Sequence, residues 1–196
     1  MDSGRGSTAV GTDDVSLRLL EEAETQELYE LIEANRAYLE PWLPWAAGQT
    51  FEDTLDFIRG TRSQASENEG FQAAIVTEKG IVGVIGFVTV DWANRSTRIG
   101  YWLDERQQGK GTMTAAVRLL VDHALTIWQL NRVEIIVATE NRRSRAIPER
   151  LGFREEGTLR QLQLVNGRYL DCAGYSMLAE DWNVPPADPA QLGFRS

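Results

Sequence analysis

Several kinds of chemistry are missing from this 196-residue chain. Its one cysteine, Cys172, cannot close an internal disulfide, and the alternating stretch around it reads as buried packing rather than as a nucleophile. Its one histidine, His123, lies among apolar positions and reads as a packed or surface residue. No grouping of His, Cys or carboxylates has metal-ligand spacing, so no metal is expected. No apolar run approaches the roughly 18 residues that cross a membrane. Residues 1–14 are small and polar and lack the charged-then-apolar pattern of an export signal, which leaves the cytoplasm as the expected compartment. Basic residues are scarce early on. Residues 1–70 carry 15 acidic and 5 basic side chains, a net of −10, against +1 for the remainder and −9 for the whole. So acidic a first third disfavours direct nucleic-acid binding and suits a cationic partner, although any single carboxylate there reads equally as part of a solvated helix face.

What is present supports one domain. An apolar content of 42% is enough for a real core over residues 15–182, between two ends expected to be loose, the N-terminus (1–14) and a proline-rich tail (183–196). Val15 to Leu20 reads as a strand, Glu24 to Tyr38 as a helix with Leu28, Leu31, Ile32 and Ala34 inward, and Thr54 to Gln64 as a second helix. Strands follow at Phe71 to Thr77, Ile81 to Asp91 and Ser96 to Leu103. The next helix is marked by Met113, Ala116, Val117, Leu120, Val121, Ala124, Leu125 and Trp128 at intervals of three and four. Val133 to Ala138 is a buried strand, Arg142 to Leu151 a short helix closed by Gly152, and Arg154 to Leu164 with Arg168 to Leu178 a hairpin across Asn166-Gly167. The order β-α-α-β-β-β-α-β-α-β-β defines an α/β (α+β) fold without internal repeats.

The most informative stretch is Tyr101 to Met113, where a strand end, a glycine turn and a helix start fall together. Gly109 and Gly111 remove Cβ atoms where a ligand must approach the backbone, and the first helical turn presents unpaired N–H groups with about half a positive charge behind them. A pyrophosphate fits such a cradle; a glycine pair before an amphipathic helix also reads as a plain turn. Two nucleotide motifs are excluded. A P-loop needs Ser or Thr directly after Gly-Lys, but Lys110 precedes Gly111, and a dinucleotide fingerprint needs glycine where Thr114 stands.

Arg106-Gln107-Gln108-Gly109-Lys110-Gly111 is similar to the Arg/Gln-x-x-Gly-x-Gly/Ala signature of the GNAT superfamily of N-acetyltransferases. Asn141-Arg142-Arg143-Ser144 and Glu149-Arg150-Leu151-Gly152-Phe153 resemble that family's second cofactor-side segment, about thirty residues further on. The resemblance runs from about Val15 to Trp182. It is closest to the branch that acetylates N-terminal serine or alanine of ribosomal proteins, with Ile99-Gly-Tyr-Trp-Leu103, Asn131-Arg132-Val133, Glu156-Gly157 and Asn166-Gly167 in place. It implies a mostly antiparallel twisted sheet of about seven strands, splayed at its centre and flanked by about four helices, and acetyl-CoA as the donor.

By that resemblance, Tyr101, Trp102 and Leu103 hold the thioester carbonyl and pantetheine arm through their backbone. The stretch Arg106 to Met113, with Thr112 in its helical start, holds the pyrophosphate, and Asn141, Arg143 and Ser144 complete the cofactor side. Asn141 also reads as a helix cap. Ser144 matches the serine proposed in this branch as the acid for the departing thiolate. Many relatives use a tyrosine where this chain has Pro148, which also leaves the Ser144 carbonyl without its i+4 donor. Gln163 stands where a close relative has a carboxylate. An α-amine with a pKa near 8 is about one tenth neutral at pH 7, so a water backed by Glu40 is sufficient as base. Glu40, Trp42, Trp45 and Gln163 are expected to line the acceptor groove, one tryptophan covering core and the other meeting the acceptor. The acceptor expected first is a protein N-terminal α-amine, a ribosomal protein's among them, and second a small amine such as a polyamine, an amino-sugar antibiotic or an aminoacyl-nucleotide toxin. A third reading is a binding module that has lost activity, for which Gln163 and Pro148 are the departures. Relatives in this branch are often homodimers.

Overall fold

Apolar periodicity in the first hundred residues gives two helices and four strands. After β1 (Ser16–Leu19), α1 (Thr25–Leu39) turns Leu28, Ile32, Asn35 and Leu39 inward. α2 (Phe51–Ser66) opens on a capping box in which Thr50 and Asp53 each accept from the other's backbone amide. β2 (Gln72–Thr77), β3 (Gly80–Asp91) and β4 (Ser96–Leu103) follow as an antiparallel meander. Then come α3 (Thr112–Asp122), prolonged by a π-helical segment His123–Ile127, and β5 (Arg132–Ala138). α4 (Arg142–Arg150) leads to the hairpin of β6 (Arg154–Val165) and β7 (Arg168–Leu178). The hairpin turns at Asn166 and Gly167, with φ of 47° and 78°, as a two-residue type I′ turn requires.

This computed structural model describes residues 15–183 and 189–193. The N-terminal segment 1–14, expected to be loose, lies outside the described residues, as do 184–188 and 194–196. Of the remaining tail, Pro189–Gln191 make a 3-10 turn, Leu192 bridges to Leu17, and the Gly193 N–H donates to the Leu17 carbonyl at 2.7 Å.

The seven strands lie in the order β1-β2-β3-β4-β5-β7-β6, and only β4 and β5 run parallel. On one face, Ile85, Phe87, Ile99, Ile135 and Tyr175 meet Ala116, Val117 and Leu120 of α3. On the other, Ala74, Val84 and Trp102 meet Leu28, Ile32 and Ile58 of α1 and α2. Each fully buried aliphatic side chain contributes about 1.5–3 kcal/mol. The cradle helix is buried as its spacing requires, except that Trp128 is half-buried. One inward position differs from expectation. Ala34 is exposed and Asn35 is buried, because 28, 32, 35 and 39 share a face at 3.6 residues per turn. Asn35 is satisfied there, since its Nδ2 donates to the Leu31 carbonyl and its Oδ1 accepts from the Glu105 N–H, each at 2.9 Å. β6, at the sheet edge, exposes nearly its whole length, including Leu159, Leu162 and Leu164.

His123 is buried against Phe71, Phe87 and Trp128. Burial pushes its imidazole down to about 4, with Asp122 opposing. The unfolded chain therefore takes up this proton below about pH 6.5 and the folded chain only below about 4. Because the unfolded state binds more protons in that window, the contribution is full above pH 6.5 and is lost as pH falls towards 4. Denaturant titrations of wild type and His123→Phe across this range should differ in slope, with up to about 3 kcal/mol lost by the wild type alone.

Candidate active site

The centre of the sheet is open. β4 and β5 pair over only four positions, Ser96 with Arg132 through Ile99 with Ile135, although β4 continues to Leu103 and β5 to Ala138. The outer sides of both strands stay paired, Leu103 with Gly83 and Ala138 with Cys172. The strands thus part after Ile99 and Ile135, and main-chain groups of Gly100 to Leu103 and Ile136 to Ala138 face a cleft with no ladder across it. Such groups are obligatory donors and acceptors, so the cleft suits an extended ligand with amide character.

The cradle closes one end. A 3-10 turn at Glu105–Gln107 follows β4, with the Asp104 carboxylate accepting from the Arg106 N–H at 3.2 Å and forming an ion pair with Arg106 Nε at 3.5 Å. Gly109 has φ of 71° and a Cβ there would meet nothing within 4 Å, so this side of the loop is free for a ligand. Gly111, the N-cap of α3, has φ of 88° and offers no side chain to the first-turn amides of Thr112, Met113 and Thr114. Lys110 donates to Gln107 Oε1 at 2.8 Å, and the exposed Arg143 of α4 donates to Gln108 Oε1 at 2.7 Å. Gln108 in turn donates to the Tyr38 hydroxyl at the end of α1. Uncapped amides, a Cβ-free approach and cations on both walls fit a diphosphate.

The other wall of the cleft is α4. Asn141 Oδ1 accepts from the Ser144 N–H at 3.2 Å, the helix cap its sequence position foretells. Ser144 is half-buried one turn in, and its carbonyl accepts from the Tyr101 hydroxyl of β4 at 3.0 Å. The next turn is held by Tyr175, which accepts from Arg145 Nε at 2.7 Å and donates to Glu149 at 2.8 Å.

The segment after α1 reaches across the opening. Trp45 meets Trp102 of β4 edge-on at 6.2 Å. Trp42 instead packs on Ala138 at the end of β5 and on Val165 and Leu170 of the hairpin. The hairpin clasps this segment. Gln163 Nε2 donates to the Trp42 carbonyl at 3.2 Å and Asn166 Nδ2 to the Glu40 carbonyl at 2.9 Å.

Residues 14–154 match the acetyltransferase (GNAT) domain family. The chain belongs to the GNAT acetyltransferases. It is 38% identical over 170 residues to YdaF of Bacillus subtilis (strain 168), named as a ribosomal N-acetyltransferase, covering 86% of this chain and 93% of that protein. It is 30% identical over 170 residues to the ribosomal-protein-serine acetyltransferase of Escherichia coli (strain K12), covering 86% and 95%. The crystal structure of the microcin C7 self-immunity acetyltransferase MccE, in complex with acetyl-CoA and AMP, superposes with a TM-score of 0.81 at 28% identity, over 87% of this chain and 96% of that one.

In this GNAT acetyltransferase the residues expected at the site fall into two groups. The strand end and the cradle are tied to α4 through Gln108 to Arg143 and through Tyr101 to Ser144, whose N–H is capped by Asn141. Glu40, Trp42 and Gln163 are gathered at the hairpin, while Trp45 lies apart, against β4 and partly exposed. Three contacts around these residues were not legible in the sequence: Asn35 beneath the Glu105 turn, Tyr38 beside Gln108, and the Asn166 side chain on the Glu40 carbonyl. Asn35 had one available signal, a short amide interrupting an otherwise apolar helical face. Among the described residues no group of His, Cys, Asp and Glu could hold a metal, and no helix is long and apolar enough to cross a membrane.

Proposed function

We propose that this enzyme moves the acetyl group of acetyl-CoA directly onto an N-terminal α-amine of a protein, with a ribosomal protein as the favoured acceptor. The observation that carries the donor side is the β4–β5 ladder, which stops after four pairs and leaves an open cleft leading to the uncapped start of α3. Acetyl-CoA supplies the thioester. The backbone of Tyr101 to Leu103 takes the pantetheine arm and carbonyl, the amides of Gly109 to Met113 take the pyrophosphate, and Arg143 turns from Gln108 to reinforce it. Asn141 supports the arm beside the cap it already forms.

As the amine attacks, a C–N bond forms and the C–S bond breaks. The amine proton passes through water to Glu40, the Ser144 hydroxyl gives its proton to the departing thiolate, and the proton held by Glu40 returns through water to Ser144, so that none is gained or lost. An α-amine, partly neutral near pH 7, requires no strong base, which agrees with an amide at Gln163. The acidic surface of the first third and the 40–45 segment suit a positively charged peptide N-terminus. The names of the two sequence relatives favour a ribosomal acceptor. A small amine is the second reading, favoured by the likeness to MccE. We further propose a cytoplasmic homodimer without nucleic-acid or metal partners; the exposed leucines of edge strand β6 and Tyr169 favour a second copy there.

Coenzyme A release measured with peptides starting in Ser or Ala, and with a set of small amines, tests the acceptor. Turnover is expected with the peptides. Turnover with small amines alone transfers the assignment to them, and binding without any turnover leaves only a binding module.

A further inference from the structure

Within α4, the Ser144 carbonyl is the acceptor that position 148 would normally satisfy. Pro148 has no N–H to give, yet it is buried and the helix continues past it to Arg150. The missing donor comes from another element. The Tyr101 hydroxyl, reaching from β4 across the region where the strands have parted, donates to that carbonyl at 3.0 Å. Together with the Asn141 cap on the Ser144 N–H, this holds the peptide groups on both sides of the Ser144 Cα by side chains. Burial also pushes the Tyr101 phenol above its ordinary value, so it remains a donor at any working pH.

We propose that Tyr101 is a positioning residue: it ties the first turn of α4 to β4 through the carbonyl that Pro148 leaves free, and so fixes where the Ser144 hydroxyl meets the leaving thiolate. This rests on the reading of Ser144 as proton donor. The Tyr101–Pro148 couple is a matched pair, in which the proline opens an acceptor inside the helix and the tyrosine fills it from the sheet.

The test uses Tyr101→Phe, which keeps the ring and removes only the hydroxyl. Loss of one hydrogen bond should lower kcat about tenfold, with the KM for acetyl-CoA within about twofold of wild type. In a Ser144→Ala background the same change should have no further effect on kcat, whereas a merely structural role would lower it again. Adding Pro148→Ala to Tyr101→Phe restores an i+4 N–H to the Ser144 carbonyl and should recover most of the lost rate. Amide exchange over residues 141–147 needs no acceptor and should quicken in Tyr101→Phe. Unchanged exchange, an unchanged kcat, or an equal loss in the Ser144→Ala background each overturns the proposal. Absence of turnover by wild type with every amine defeats the assigned function instead, and the exchange measurement still decides the anchor.

Discussion

Gly111→Val is expected to weaken acetyl-CoA binding at least tenfold while leaving the protein folded. At φ of 88° a β-branched residue carries strain of about 1–3 kcal/mol, which a domain of ordinary stability survives. The strain is relieved by rotating the residue that begins α3, and this turns the amides of Thr112 and Met113 away from the phosphate they are meant to meet. A loss of about 1.4 kcal/mol is already a factor of ten in affinity. Calorimetric titration with acetyl-CoA, beside a thermal melt monitored by circular dichroism, separates the two effects. Wild-type affinity in a folded variant would remove the diphosphate from this turn.

Ser144→Ala is expected to reduce kcat about a hundredfold, the scale of one positioned acid, while the acetyl-CoA dissociation constant stays within about threefold. The change is unusually clean. The Ser144 N–H still reaches Asn141 and its carbonyl still accepts from Tyr101, so α4 keeps both anchors and only the hydroxyl is gone. Single-turnover kinetics with saturating acetyl-CoA reads the chemical step directly. An unchanged rate would exclude Ser144 from proton transfer.

Much of this was legible in the chain because the relevant signals are local. The glycines at 109 and 111 and the apolar spacing of α3 declare a turn and a helix whatever surrounds them, and Asn166-Gly167 declares a hairpin. Asn141 could be read as a cap from its place before Arg142. What escaped depends on residues far apart in sequence. Asn35 is joined to Glu105 across 70 residues, Tyr38 to Gln108 across 70, and Gln163 to Trp42 across 121. No periodicity carries such pairings. The free carbonyl at Ser144 was predictable from Pro148 alone, but the donor that fills it was not, because Tyr101 is 43 residues away. The π-helical segment after α3 likewise had no sequence sign.

The short β4–β5 ladder gives the molecule the mechanics of a pair of tongs. The pivot lies at Ser96 to Ile99. At the far end the 40–45 segment spans the tips, Trp45 against Trp102 of β4 and Trp42 against Ala138 of β5, and is itself clasped to the hairpin by two side-chain bonds to its main chain. Opening the tips therefore means breaking contacts of the 40–45 segment, while the pivot and both outer ladders stay whole. On the function proposed above, admission of the donor and seating of the acceptor would be geared to one another, since the strip of chain proposed to meet the amine is also the catch across the jaws.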